Sequence, residues 1–150
     1  MAATDIVTIS NSLVTIANGI TTTATFDGFK SVFEYMPEQS EIEGSPILIV
    51  VPEQVENSFE TTQDDETVWS FRMSIYVMID DNTTRAITES QMKYAAGHLI
   101  QALEEAWDYT DIPGGGNYLA TNIANWSALR GDYLVTDITV QVNLLNNTNG

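Results

Sequence analysis

The order in which apolar periodicities change along the chain predicts an α+β fold: a mainly antiparallel β-sheet with two helices packed on one face and a projecting β-hairpin. Three observations carry that expectation. Two stretches repeat apolar residues every three or four positions, as one face of a helix does. Two others alternate apolar and polar residues, as a strand with one buried face does. Their order is helix, strand, hairpin, helix, hairpin with no internal repeat, which groups the strands rather than interleaving each with a helix.

The first periodic stretch runs from Ile6 to Ile20, where Ile6, Ile9, Leu13, Ile16, Ala17 and Ile20 share a side opposite Ser10, Asn11 and Ser12. Thr4 or Asp5 offers an N-cap and Asn18-Gly19 an ending. Its β-branched residues are poor helix formers, so this helix should depend on packing against a sheet. Thr21 to Asp27 reads as a turn, and Phe29 to Met36 as a first strand stopped by Pro37. Glu38 to Ser45 is an acidic loop. Pro46 to Val51 follows as a continuous apolar run bracketed by prolines, the pattern of a strand covered on both faces.

Val55 to Glu60 is mostly polar, Thr61 to Asp65 is a turn cluster, and Thr67 to Ile79 is the longest alternating stretch, so the two limbs can pair as a hairpin. Trp69, Phe71, Met73, Ile75, Val77 and Ile79 form its apolar side. At about 3.3 Å per residue this strand spans roughly 43 Å, against a diameter of about 38 Å for a compact domain of this length. The outer half should therefore belong to a polar, acidic arm with an exposed edge that needs charge or a partner to guard it.

Asp80-Asp81-Asn82-Thr83-Thr84 ends the strand and places negative charge and a cap at a helix start, with Thr88 and Gln91 as a second possible start. Ile87, Tyr94, Ala95, His98, Leu99, Ala102, Leu103 and Ala106 are expected to form the packed face of this second helix, which closes near Trp107. Asp111 to Asn117 is a Gly-rich connection. Tyr118 to Leu129 reads as a strand with Leu119, Ile123 and Leu129 on one side, Arg130-Gly131-Asp132 as a turn, and Tyr133 to Leu145 as the final strand. There Leu134, Thr136, Ile138, Val140, Val142 and Leu144 share one face, and Asp137, Thr139, Gln141 and Asn143 the other. Asn146 to Gly150 is a polar tail.

A chain of 150 residues fits one domain, able to bury about 68–70% of its unfolded surface. Five basic against 21 acidic residues give a formal charge of −16, which disfavours binding to nucleic acid or an anionic membrane. Cysteine is absent, so there is no disulfide, thiol nucleophile or thiolate metal site. With no basic leader and no long apolar window, the chain is expected to be made and kept in the cytosol, without a membrane partner.

No residue pattern singles out catalysis, and no enzyme activity, cofactor or metal is expected. His98, the one histidine, falls on a helix's apolar face, where packing is the simpler role. Asp64-Asp65-Glu66 and Asp80-Asp81-Asn82 lack the alternating ligands and central Gly of a calcium loop. Gly114-Gly115-Gly116 is not followed by Lys-Ser or Lys-Thr and precedes a strand, unlike a phosphate cradle. The Asn-X-Ser/Thr triplets at Asn82, Asn125 and Asn146, and Arg130-Gly131-Asp132 as an adhesion tripeptide, are matches of letters alone. Twenty-one acids always supply some carboxylate pair, but no spacing selects one for hydrolysis.

The succession of an amphipathic first helix, the short apolar run Pro46 to Val51, an acidic-tipped hairpin leading into Trp69 to Ile79, a helix ending Leu99-Ile-Gln-Ala-Leu103 and a closing strand Leu134 to Leu144 resembles the phage tail terminator, or tail completion, family. The likeness covers most of the chain and is one of pattern, without a diagnostic motif. It implies a virion structural protein, assembled in the host cytoplasm, that forms a hexameric ring on the tail tube, stops tube polymerisation and presents the surface joined by the head or neck. Its partners would be further copies of itself, the tail tube protein and a head or neck connector, while DNA passes through without specific binding. On that reading Gln63, Asp64, Asp65 and Glu66 make a subunit or tube interface, and Glu38, Glu41 and Glu43 line the lumen or an end face, where like charge repels DNA. A neck or head-completion protein is the nearest alternative. From a different class, the charge also suits an acidic DNA mimic that blocks a DNA-binding enzyme, though no helix face carries rows of carboxylates; a small hydrolase ranks last.

Overall fold

The computed structural model describes residues 6–20, 26–38, 44–59, 64–79, 84–108 and 118–147. Two helices, α1 (Ile6–Asn18) and α2 (Arg85–Asp108), pack on one face of a five-stranded sheet built from β1 (Ser31–Phe33), β2 (Ile47–Phe59), β3 (Asp64–Met78), β4 (Tyr118–Arg130) and β5 (Tyr133–Asn147). The strand order is β1-β2-β3-β5-β4, and every pairing is antiparallel except β1 with β2. This is the expected α+β class.

The core follows from the alternation. Phe71, Met73, Ile75 and Val77 of β3 align with Leu48 and Val50 of β2 and with Leu134, Thr136, Ile138 and Val140 of β5, so one residue in two from three adjacent strands faces the helices. Those side chains are almost wholly buried, together with Ile9, Leu13 and Ala17 of α1. At about 1.5–3 kcal/mol for each large apolar side chain removed from water, this layer is the main source of stability. It also explains why α1 forms despite its β-branched sequence: its Leu13 stripe is covered. The helix ends as expected, with the Gly19 amide donating to Thr15 O at 3.0 Å and to Ile16 O at 3.2 Å.

Several boundaries differ from the sequence reading. The strand expected over Phe29 to Met36 shrinks to Ser31–Phe33, because only those residues find partners, in parallel register with Ile47 to Ile49. In α2, Thr84 is the cap: its Oγ1 accepts the Ile87 amide at 3.3 Å, and its carbonyl accepts from Thr88. The buried face is then Thr88, Met92, Ala95, Ala96, Leu99 and Leu103, while Ile87 and Tyr94 are about half exposed. Charged and polar neighbours at Arg85, Glu89 and Lys93 had hidden that Met92, rather than Tyr94, completes the stripe. In β4, Ile123 and Leu129 do not form a buried row. Register shifts beside Asn125, and Ser127 at φ 53°, break the alternation and leave both side chains exposed.

The largest correction concerns the long hairpin. β2 and β3 pair as far as Phe59↔Asp65, but β5 accompanies β3 over the same length, to Asp64↔Asn147. β3 is thus central throughout, without the exposed edge expected of it. The open edge beyond Ile49 belongs to β2 instead, since β1 pairs only with Ile47 to Ile49. There Pro52, which has no amide proton, and a register shift between Pro52 and Gln54 interrupt it. The hairpin tip, residues 60–63, lies outside the described residues.

Candidate functional site

The sheet face turned away from the helices carries the residues between those of the core. Ile49, Val51 and Pro52 of β2, Arg72, Ser74 and Tyr76 of β3, and Arg130 of β4, with Met36 beyond β1, line an open depression of about 310 Å³. A two-residue hairpin turn places Arg130. It pairs with Tyr133 across Gly131-Asp132, and Gly131 adopts φ 60°, a conformation that favours glycine and suits the first central position of a tight hairpin turn. The turn is tied to the end of β3 by the Ile79 amide, which donates to Asp132 O at 2.8 Å.

Hydrogen-bonded to two of the lining residues is Asp137, 3% exposed, on the side of β5 that the sequence assigns to polar residues. Burial of an ionised carboxylate is tolerated only with compensating partners, and here two strands, β3 and β4, supply them. Ser74 Oγ of β3 donates to Oδ1 at 2.6 Å, while Asn125 Nδ2 and Arg130 NH2 of β4 donate to Oδ2 at 3.3 and 3.1 Å. The Asn125 partnership depends on the irregular register of β4, which sets Asn125 opposite Asp137. The hydrogen bond to Tyr76 and the charge of Asp137 raise the proton affinity of the Arg130 guanidinium above its ordinary value, outweighing partial desolvation. Its contribution to stability is therefore fully present at lower pH and lost only as pH rises through that elevated, strongly alkaline value, so the Arg130 guanidinium keeps its charge at working pH. Arg72 is held more loosely, 3.9 Å from Glu53, with both side chains about 40% exposed.

A second cluster fixes the β4 irregularity to the helix layer. Trp126 Nε1 donates to Glu89 Oε1 at 2.9 Å, Ser127 Oγ donates to Glu89 Oε2, and the Ser127 amide donates to Thr136 Oγ1 at 3.0 Å. All of Glu89's accepting capacity used here goes to holding the strand, which makes it a structural residue. His98 is half-buried and stacks on Phe26 with ring centroids 5.4 Å apart, matching the packing role read for it.

Of the residues singled out from the sequence, Asp64, Asp65 and Glu66 begin β3, opposite Phe59 and Ser58 of β2 and Asn147 to Leu145 of β5. They are consecutive residues at the end of β3 away from the depression. Glu38 is exposed in the segment after β1. Gln63, Glu41 and Glu43 lie outside the described residues. Ser74, Asn125, Arg130 and Asp137 were missed as a group. The available signal was that two of only five cations, Arg72 and Arg130, lie in or beside alternating stretches, on strands that β5 and its Asp137 separate. Among the described residues no group of three or more His, Asp or Glu is placed to hold a metal ion, and no helix is long and apolar enough to cross a membrane.

No protein-family model matches the chain, and no curated protein sequence is significantly similar to it.

Proposed function

We propose that this chain is a virion structural protein that caps a phage tail tube, ends its polymerisation and offers the joining surface for the head or neck, acting as a hexameric ring. The observation that carries the reading is the arrangement around β3. A hairpin of 13- and 15-residue strands with acidic residues at its far end is joined through α2 to a closing hairpin on the same sheet, with both helices on one face. That arrangement has the element order on which the resemblance rests, and it leaves a whole sheet face without helices for contact with other subunits. The formal charge of −16 suits a ring through which DNA passes without adhering. Function of this kind resides in interfaces, so the described side chains need only recognise copies of the chain and its neighbours.

The test is binding to isolated tail tubes. Purified protein should cosediment with tubes, decorate their ends in electron micrographs and block further addition of tube subunits. Failure to bind tube ends would sink the proposal. Binding to purified heads instead would favour the neck or head-completion role. Inhibition of a nuclease or polymerase by a persistent monomer would favour DNA mimicry, which the acidic charge also suits. Within the proposed role, deleting Gln63 to Glu66 should leave a folded chain that no longer assembles; unchanged assembly would remove that segment from the interface.

A further inference from the structure

We infer that the depression bearing Arg72 and Arg130 is a receptor for the acidic end of the β2–β3 hairpin, Asp64 to Glu66, of a second copy of this chain. This assignment rests on the reading of the chain as a self-assembling ring protein and names the two surfaces that would meet.

Charge is the first argument. Two of the chain's five cations, Arg72 and Arg130, line one depression and offset Glu53 and Asp137 there, so in a molecule of formal charge −16 an acidic surface meets less repulsion here than at a net-acidic stretch. Each guanidinium presents five N–H donors. Arg72 makes one long ion pair with Glu53, and Arg130, anchored by Asp137 and Tyr76, still has a side chain 46% exposed. An incoming carboxylate would find donors held in position by the Asp137 network. Ile49, Val51, Pro52 and the exposed Met36 add apolar walls.

Reach is the second argument. Along β3, Asp65 and Ser74 are nine residues apart, or roughly 30 Å at strand spacing. The acidic end therefore cannot fold back onto its own depression, and only another copy can bring the two together. Unlike ends of one sheet meeting in this way make a head-to-tail contact, which closes into a ring when the rotation per subunit permits.

The third argument comes from the sheet edges. Pro52 with its neighbouring register shift interrupts the open edge of β2, and two register shifts interrupt β4. Such devices discourage strand-to-strand addition, which leaves side-chain recognition on the open face as the route for copies to meet.

The experiment uses the full chain and measures mass by sedimentation equilibrium across a concentration series, at low and high salt. Wild type should self-associate, and less so at high salt. Arg72→Glu, which alters a loosely held surface side chain, should weaken association about tenfold or more, as should the combined Asp64→Lys, Asp65→Lys and Glu66→Lys reversal. Mixing the two charge-reversed proteins should restore association, because each supplies what the other lacks. Circular dichroism establishes that both are folded, and Arg72→Gln serves in place of any reversal that does not fold. A wild type that stays monomeric at every concentration, an Arg72 variant that associates like wild type, or a mixture that does not regain association would each overturn the assignment. Tube binding separates this failure from that of the proposed function: a chain that binds tube ends but ignores these substitutions loses only the receptor, whereas one that self-associates through it and ignores tubes loses the tail role.

Discussion

The two faces of the sheet are built from alternate residues of the same strands, yet they are held together differently. On the covered face, Phe71, Met73, Ile75 and Ile138 are wholly buried and apolar, and their contribution is area removed from water, insensitive to exact partner. The open face also buries Ile47, Ile49 and Val135, but it adds one carboxylate, Asp137, whose burial depends on named donors in β3 and β4. A change on the first face should cost stability in proportion to the volume lost. On the second, the cost should depend on which partner is left unmatched.

The largest expected effect breaks the covered face. Phe71→Ala should destabilise by about 3–5 kcal/mol, seen as a lower denaturant midpoint. Next, Arg130→Ala leaves Asp137 buried without its cation and should cost roughly 2–4 kcal/mol. The double change Arg130→Ala with Asp137→Asn should recover part of that loss, a coupling that a purely apolar site would not show. Ser74→Ala, which removes the shortest of Asp137's hydrogen bonds, should cost about 1–2 kcal/mol. The smallest effect belongs to Arg72→Gln, whose half-exposed ion pair should leave stability within about 0.5 kcal/mol while weakening self-association. A large stability loss there would mean that the open face is packed more like the covered one than its exposure indicates.

The covered face was largely legible in the sequence. Strict alternation in Phe71 to Val77 and Leu134 to Val142 needs no partner to be recognised, and both runs are buried as expected. The second helix was legible as an element but not in rotation, since Ile87 and Tyr94 are as apolar as Met92 and only tertiary packing selects among them. The short β1 was over-read, because Phe29, Phe33, Tyr35 and Met36 are strand-forming residues without backbone partners beyond Phe33. β2 was read in two pieces, the apolar run Pro46 to Val51 and the polar limb Val55 to Glu60; the limb pairs with β3 as expected, and the two pieces form one strand. The open face was hidden for a simpler reason. Asp137 alternates with Thr139 and Gln141 as a solvated aspartate would, and its partners lie far away in sequence at Ser74 or inside a register shift at Asn125.

The hydrogen bond from Ser74 to Asp137 also bears on how the chain acquires its fold. β2–β3 and β4–β5 are each hairpins of neighbouring strands, which can form early and independently. The β3–β5 seam joins residues as remote as Asp64 and Asn147, and even its nearest pair is Met78 and Tyr133, so closing it must overcome the entropy of the whole intervening segment, α2 included. Ser74, Tyr76 and Arg72 stand on one side of that seam, and Asp137 and Arg130 on the other. The polar network is therefore a clasp that can close only after the two halves have met in register, because a slip of one residue would turn Asp137 toward the apolar helices. Its influence should fall mainly on the rate at which the joined sheet comes apart rather than on the rate at which either hairpin forms.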